Sequence, residues 1–243
     1  MKTYLFIFLF ISSNLLAQQT KEWVNLLENP EFPMSEELKP ENKLSEYSHF
    51  SLEQALAPKS DILGYIGSDY RRIKVDIKSV SKSDKIANPY FIEGNTTVSN
   101  NTCDFEGTII IEQFREFMHM DYGVDSMYAD AGYKAQGIAI GKYLFAENPK
   151  QKHVGTFQGI ITLWWYVDKD GSLHYSDLGK HYSDRFKNNQ YVGTWTEYGK
   201  TESKTCNWGE YRIPFSDDLD WGAAHFSVNP KYYKMGWQDF KIK

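Results

Sequence analysis

Aromatic side chains have the clearest potential for recognition chemistry in this sequence. Three are consecutive, at residues 164–166, and three more follow on later segments. Exposed rings can stack on sugars or line an apolar pocket, whereas buried rings pack a core or an interface. Successive side chains of a strand point to opposite faces, so at least one ring of the run is expected to point away from the core. The predicted ligand-binding set is therefore Trp164, Trp165, Trp195, Tyr198 and Trp208.

Acidic side chains offer a second chemistry, glycoside hydrolysis, which needs two carboxylates roughly 5–10 Å apart in a cleft. The predicted strands carry four acids, Asp104, Glu106, Glu112 and Glu197. Of these, Glu197 is close in the sequence to Trp195 and Tyr198. A hydrolase that uses Glu197 with a second acid is thus one alternative function. The Gly-x-Ser-x-Gly sequence of a serine nucleophile is not present. These patterns favour a protein that is not an enzyme.

Metal-binding patterns are weak, and we predict neither a metal nor a cofactor. Short zinc spacings such as His-Glu-x-x-His are not present. The densest set of potential zinc ligands is His153, His174, His181, Asp177 and Asp184. Three aspartates within four residues are a weak calcium candidate, although such loops are more often simply solvated: Asp217, Asp218 and Asp220.

Residues 1–17 have the three parts of a cleavable signal peptide, with Lys2, an apolar run and Ala17 at the cleavage site. The run is shorter than the roughly 20 residues that a membrane-spanning helix needs. We therefore expect export to the periplasm or the outside of the cell. Export makes disulfides favourable, so a bridge between Cys103 and Cys206 is predicted, with two separate buried thiols as the alternative.

The charge of the chain disfavours nucleic acid as a partner. The formal net charge is −5, and removal of residues 1–17 would make it one unit more negative. Phosphate binding needs clustered lysine and arginine side chains, and no long basic run is present. No later apolar stretch of about 18 residues exists, so no transmembrane segment is predicted in the mature chain.

Short apolar segments of strand type dominate the chain after residue 59. Ile73, Val75 and Ile77 alternate with charged residues, which is typical of an antiparallel sheet over a core. Further strands are predicted at 90–99, 102–114, 137–145, 155–167, 173–176, 190–198 and 205–208. The residues Asp168-Lys-Asp-Gly171 predict a tight hairpin turn rather than a calcium loop, because position twelve of such a loop would be a glycine.

A sequence echo predicts curvature of the sheet. Phe105-Glu-Gly107-Thr-Ile109 matches Phe157-Gln-Gly159-Ile-Ile161, with a glycine in the middle of each strand. Such glycines usually mark a bulge or a tight bend. The predicted fold class is therefore all-β, an antiparallel β-barrel or strongly curled β-sandwich with a short N-terminal helix.

Three regions follow from these patterns: the signal peptide at 1–17, a leader at 18–58 and a β domain at 59–243. The leader is expected to be poorly ordered up to residue 48, apart from two helical turns at 22–28, and to end in a short helix at 49–57. Pro58 would stop that helix. The aromatic C-terminal segment after residue 209 is expected to be mostly loop and to cover one end of the barrel.

Two resemblances add to this interpretation. Gly193-Thr194-Trp195 resembles the Gly-x-Trp element of calycin barrels such as lipocalins, but that element lies on the first lipocalin strand, so no binding role is transferred. A longer pattern resembles a family of exported bacterial β-rich proteins without an assigned activity, which implies a shared fold. Its pieces are Leu63-Gly-Tyr-Ile-Gly67, Cys103-x-Phe-x-Gly107, Gln190-Tyr-Val-Gly-Thr-Trp195, Cys206-Asn-Trp-Gly-Glu-Tyr-Arg-Ile-Pro214 and Asp218-Leu-Asp220.

The functional expectation is an exported, non-catalytic binding module. Its ligand would be a small apolar molecule or a glycan, because aromatic richness, a β architecture and export accompany missing catalytic motifs. A protein-interaction module of the cell envelope is the second alternative, next to the hydrolase.

Overall fold

The structure is a computed structural model that describes residues 18–28, 37–83, 89–181, 183–184 and 186–240. The predicted signal peptide lies outside these described residues. Short helices precede the sheet: α1 at residues 18–28, α2 at Leu44–Tyr47 and α3 at Glu53–Leu56. None of the helices in the described ranges is long and apolar enough to cross a bilayer.

Nine strands form the rest of the framework in the part of the chain that the structure describes. They are β1 (Ile62–Ile66), β2 (Arg71–Lys82), β3 (Tyr90–Val98), β4 (Asn101–Glu116), β5 (Ala135–Glu147), β6 (Gly155–Val167), β7 (Leu173–Tyr175), β8 (Asn188–Glu197) and β9 (Ser203–Glu210). Every pairing is antiparallel. The hairpin turn predicted at 168–171 joins β6 to β7, and Gly171 has the positive φ of +86° that the turn requires.

Eight of the strands close into a barrel, which confirms the predicted fold class and selects the barrel over the sandwich. Neighbours around the ring are β1, β2, β3, β4, β5, β6, β8 and β9, and β9 pairs back to β1. Strand β7 extends the wall beside the end of β6. The chain therefore runs up and down around the ring, and its turns alternate between the two ends of the barrel.

Large rings and glycines together fill the interior. Tyr143, Tyr191 and Trp208 meet at ring-centroid distances of 5.1–5.4 Å in the middle of the barrel. A Cβ on Gly159 would lie 2.1 Å from the Val192 carbonyl oxygen, so only glycine lets the strand bend so close to its neighbour. The mid-strand glycines thus mark the predicted curvature.

Helices α2 and α3 plug one end of the barrel. Tyr47 packs against Trp165 with a centroid distance of 4.7 Å, and Leu52 and Leu56 are almost fully buried beside it. The backbone N–H of Leu52 donates to the Tyr90 hydroxyl at 3.0 Å. This end is closed by apolar side chains, whereas turns between strands surround the opposite end, where Gln19 at the start of α1 donates to Thr205.

The flanking segments cover the outside of the barrel, and the helical turns predicted at 22–28 lie within α1. Trp23 and Leu27 of α1 are buried against an outer cluster that includes Trp164, so the start of the leader is a packed helix. Residues 211–240 lie over the outer face of β1, on Leu63 and Tyr65, rather than over an end of the barrel. Each segment hides apolar residues that would otherwise face water.

Strand β1 is the element that the sequence patterns did not predict. It closes the barrel, because it pairs with β2 on one side and with β9 on the other. Its inward face meets the core and its outward face meets the C-terminal segment, so it is apolar throughout. A buried strand of five residues therefore shows no alternation.

The predicted disulfide is wrong, because Cys103 and Cys206 are both free, buried thiols. Cys103 lies on β4 and Cys206 on β9, four strands apart in either direction around the ring. They are therefore on opposite walls of a barrel whose interior is filled. A disulfide needs two Cα atoms within about 7 Å of each other, and the two cysteines would have to lie on adjacent strands to be that close.

Candidate functional site

The open end of the barrel holds a cleft of about 770 Å³, which we call the mouth cleft. The turns at 67–70, 99–100, 148–154 and 198–202 surround it. Side chains that point into the barrel close to these turns form the floor of the cleft. The floor residues are Ile66, Thr96, Cys103, Glu147, Phe157 and Trp195.

The period of a strand explains why an acid lies in this floor. Along β5, Ala139, Tyr143 and Phe145 point into the barrel, and Glu147 is the next residue of the same face. The side chain is consequently buried, with 4% of its surface exposed. Burial of a carboxylate is costly unless it accepts hydrogen bonds.

Three donors form hydrogen bonds to the Glu147 carboxylate. Its Oε2 accepts from the Trp195 indole N–H at 2.8 Å and from the Gly155 backbone N–H at 2.9 Å. Its Oε1 accepts from the Thr96 hydroxyl at 2.7 Å. In the described part of the chain, no lysine or arginine forms an ion pair with Glu147. The carboxylate thus lies under the cleft with hydrogen bonds but without a countercharge.

This carboxylate affects the pKa values of the two buried thiols. Burial is the main cause that raises the pKa of Cys103 and of Cys206, and the charge of Glu147 raises both further. Neither thiol is therefore activated as a nucleophile, which would need a lowered pKa. The negative field of Glu147 reaches across the inside of the open end.

Charged side chains form the rim of the mouth cleft. Arg71 pairs with Asp69 at 3.0 Å, and Glu197 pairs with Lys200 at 2.5 Å. The ammonium group of Lys204 lies 5.4 Å from the centroid of the Trp195 ring, in a cation–π contact. The cleft therefore combines an apolar, aromatic floor with a polar rim.

The predicted aromatic set does not form one surface. Trp195 lies in the mouth cleft, and Tyr198 is 40% exposed beside it, with its hydroxyl donating to the Glu147 carbonyl oxygen at 2.7 Å. Trp165 and Trp208 are fully buried in the barrel core, and Trp164 is on the outer wall beneath α1. Of the predicted set, Trp195 thus lines the mouth cleft, and Tyr198 bonds to the backbone of its floor residue Glu147.

Glu197 lies at the rim of the same cleft as Glu147, but its electrostatics do not suit a general acid. The hydrogen bond from Lys200 holds the pKa of Glu197 below its ordinary value. An acid catalyst in glycoside hydrolysis needs a raised pKa. The lowered pKa therefore disfavours Glu197 as the acid catalyst of the predicted hydrolase.

The candidate metal ligands are dispersed. Asp217 accepts from the Tyr70 hydroxyl, Asp218 pairs with Lys231, and Asp220 pairs with Arg212. Among the residues that the structure describes, no three His, Cys, Asp or Glu side chains converge as a metal site requires. The aspartates therefore hold the C-terminal segment in place through hydrogen bonds and ion pairs.

The histidines are also separated. His153 is on the rim of the mouth cleft, whereas His174 bonds to Asp168 at 2.6 Å in the hairpin at the plugged end. Asp177 lines a smaller cleft of about 480 Å³ at that end, and Asp184 contributes its backbone carbonyl to Arg212. The side chain of His181 lies outside what the structure describes.

Glu147 and Thr96 are the site residues that sequence reasoning missed. The available signal was an acid at the inward position of an otherwise apolar strand face, two residues after Phe145. Comparison with protein-family models, with curated proteins and with solved structures gave no match for this chain.

Proposed function

We propose that this protein is an exported, non-catalytic binding module that takes a small ligand with an apolar part into the mouth cleft. The single observation that carries the proposal is the cleft itself, about 770 Å³ with Phe157 and Trp195 in its floor. Clefts of this size and lining are typical of small-molecule sites. Export follows from the signal-peptide pattern of residues 1–17.

The architecture supports a ligand at the open end. Up-and-down barrels of eight strands hold small ligands in lipocalins, and the Gly193-Thr194-Trp195 resemblance points to the same class of barrel. The aromatic filling of the middle limits the ligand to the mouth, because Tyr143, Tyr191 and Trp208 occupy the interior.

Binding of an uncharged fluorescent probe tests this proposal. N-phenyl-1-naphthylamine, whose emission rises in apolar surroundings, is expected to bind the purified protein. Val98→Trp fills part of the cleft with an indole at a partly buried wall position, and Trp195→Leu removes a floor ring. Each variant should weaken binding by about tenfold, the effect of ~1.4 kcal/mol.

A tryptophan outside the cleft provides the matched control. Trp221 is 62% exposed on the C-terminal segment, so Trp221→Ala should leave the probe affinity unchanged. Equal probe affinity in the wild type, Val98→Trp and Trp195→Leu would show that the mouth cleft is not the binding site.

A further inference from the structure

The mouth cleft contains a buried carboxyl group that forms no ion pair with any residue that the structure describes. Glu147 is 4% exposed and makes three hydrogen bonds, all from uncharged donors. Within the described ranges its Oε1 accepts only the Thr96 hydroxyl, although a carboxylate oxygen can accept two hydrogen bonds. One acceptor position therefore remains for a donor that enters the cleft.

The neighbouring ring is arranged for a positive charge. The indole N–H of Trp195 donates to Glu147, and this polarisation adds electron density to the ring face. That face already lies 5.4 Å from the ammonium of Lys204. A carboxylate and an aromatic face within one cleft are the two groups that recognise organic cations in proteins.

From this arrangement we infer that the ligand of the mouth cleft is an organic cation, a protonated amine joined to an apolar body. The ammonium group donates to Glu147 Oε1, and the apolar body lies on Phe157 and Trp195. Lys204 occupies the ring face when no ligand is present and swings into solvent when the amine binds, since its side chain is exposed. This inference rests on the proposed function of the same cleft and adds the charge of its ligand.

The rim of the cleft does not favour an anionic ligand. Arg71 is paired with Asp69, so among the described lining residues Lys204 is the lysine or arginine without an ion pair, and it lies outside the buried floor. His153, Glu197 and Glu202 also line the cleft, and Glu197 is paired with Lys200. An anionic ligand would have to place its charge near Glu147, where the two negative charges repel.

Three probes of one shape test the inference by isothermal titration calorimetry on the purified protein. They are 2-phenylethylammonium, the uncharged 2-phenylethanol and the anion phenylacetate. The ammonium probe should bind at least about tenfold more tightly than the alcohol, and the anion most weakly. Equal affinity for the ammonium and alcohol probes, or tighter binding of phenylacetate, would overturn the inference.

Three variants locate the preference. Glu147→Gln should abolish the preference for the ammonium probe over the alcohol, whereas Glu112→Gln, a matched change on the outside of β4, should preserve it. Glu147→Gln also alters three hydrogen bonds of a buried side chain. Lys204→Met therefore gives a second measurement, which does not depend on whether Glu147→Gln folds. Lys204→Met should tighten ammonium binding about threefold or more by clearing the ring face, and an unchanged or weaker affinity would contradict the mechanism.

Failure of this inference is distinguishable from failure of the proposed function. Binding of N-phenyl-1-naphthylamine that Val98→Trp weakens, together with no ammonium preference, retains the cleft as a site and rejects the cation. No binding of either probe type would reject both.

Discussion

The carboxylate of Glu116 joins the plug to the barrel wall. It accepts from Lys39 at 2.8 Å, from Lys43 at 2.7 Å and from the Tyr47 hydroxyl at 2.6 Å. Burial by itself would raise the pKa of Glu116, but these three donors outweigh it and lower the pKa from 4.5 to about 2. The group is mostly buried, so solvent screens these interactions only in part.

This lowered pKa predicts acid sensitivity. The folded protein binds fewer protons at Glu116 than the unfolded chain does, so its stabilisation is complete above about pH 5 and is lost as the pH falls toward 2. The shift corresponds to on the order of 3 kcal/mol. Urea unfolding of the wild type between about pH 6 and 2 should show this loss, and Glu116→Gln should show a flatter pH dependence.

An exposed acid on the same strand is the control for this measurement. Glu112 pairs with Lys142 on the surface of β4, so Glu112→Gln should change the free energy of unfolding by less than about 1 kcal/mol and keep the wild-type pH dependence. Parallel pH curves for the wild type and Glu116→Gln would contradict the assignment.

At the scale of elements, α1 acts as part of the barrel wall. Its Trp23 indole N–H donates to the Thr162 hydroxyl at 3.3 Å, and its ring packs edge-on against Phe215 at 5.6 Å. The helix shields Trp164 and its neighbours on the outer face of the sheet. Most of the stability of a helix in a protein comes from packing of its apolar face, so the contacts of Trp23 and Leu27 stabilise α1.

Removal of the Trp23 ring should therefore destabilise the whole protein. Trp23→Ala is expected to lower the free energy of unfolding by about 3 kcal/mol, as large-to-small changes at buried aromatic sites do. Trp221→Ala, at a ring that is 62% exposed, should change it by less than about 0.5 kcal/mol. Denaturant midpoints from circular dichroism test the pair, and equal midpoints would show that α1 does not contribute to the stability of the barrel.

At the scale of the whole molecule, closure of the ring decides the state of the cysteines. Cys103 and Cys206 face each other across a filled barrel rather than along one wall. Intact-mass analysis of protein denatured without reductant in the presence of iodoacetamide should therefore show two adducts. Native protein should leave Cys206 unmodified, because the side chain is fully buried and its thiol has a raised pKa. Adducts that form only after reduction would reveal a bridge and contradict the barrel topology.

The sequence by itself determined the local features of this protein. Alternation at Ile73, Val75 and Ile77 predicted an inward face, and the repeated Phe-x-Gly pattern predicted curvature. The 168–171 turn was readable from Asp and Gly. Each of these signals depends on neighbours within a few residues, where backbone geometry and side-chain period act directly.

Only the tertiary structure decided which residues share a site. Thr96, Glu147 and Trp195 are on three strands that are separated by about 50 residues in sequence, and they meet because the ring closes. The same closure placed Trp165 and Trp208 in the core, put Trp164 under α1 and separated the two cysteines. A period of two assigns a side chain to a face, but the position of that face around a barrel depends on strand order, which local sequence patterns do not encode.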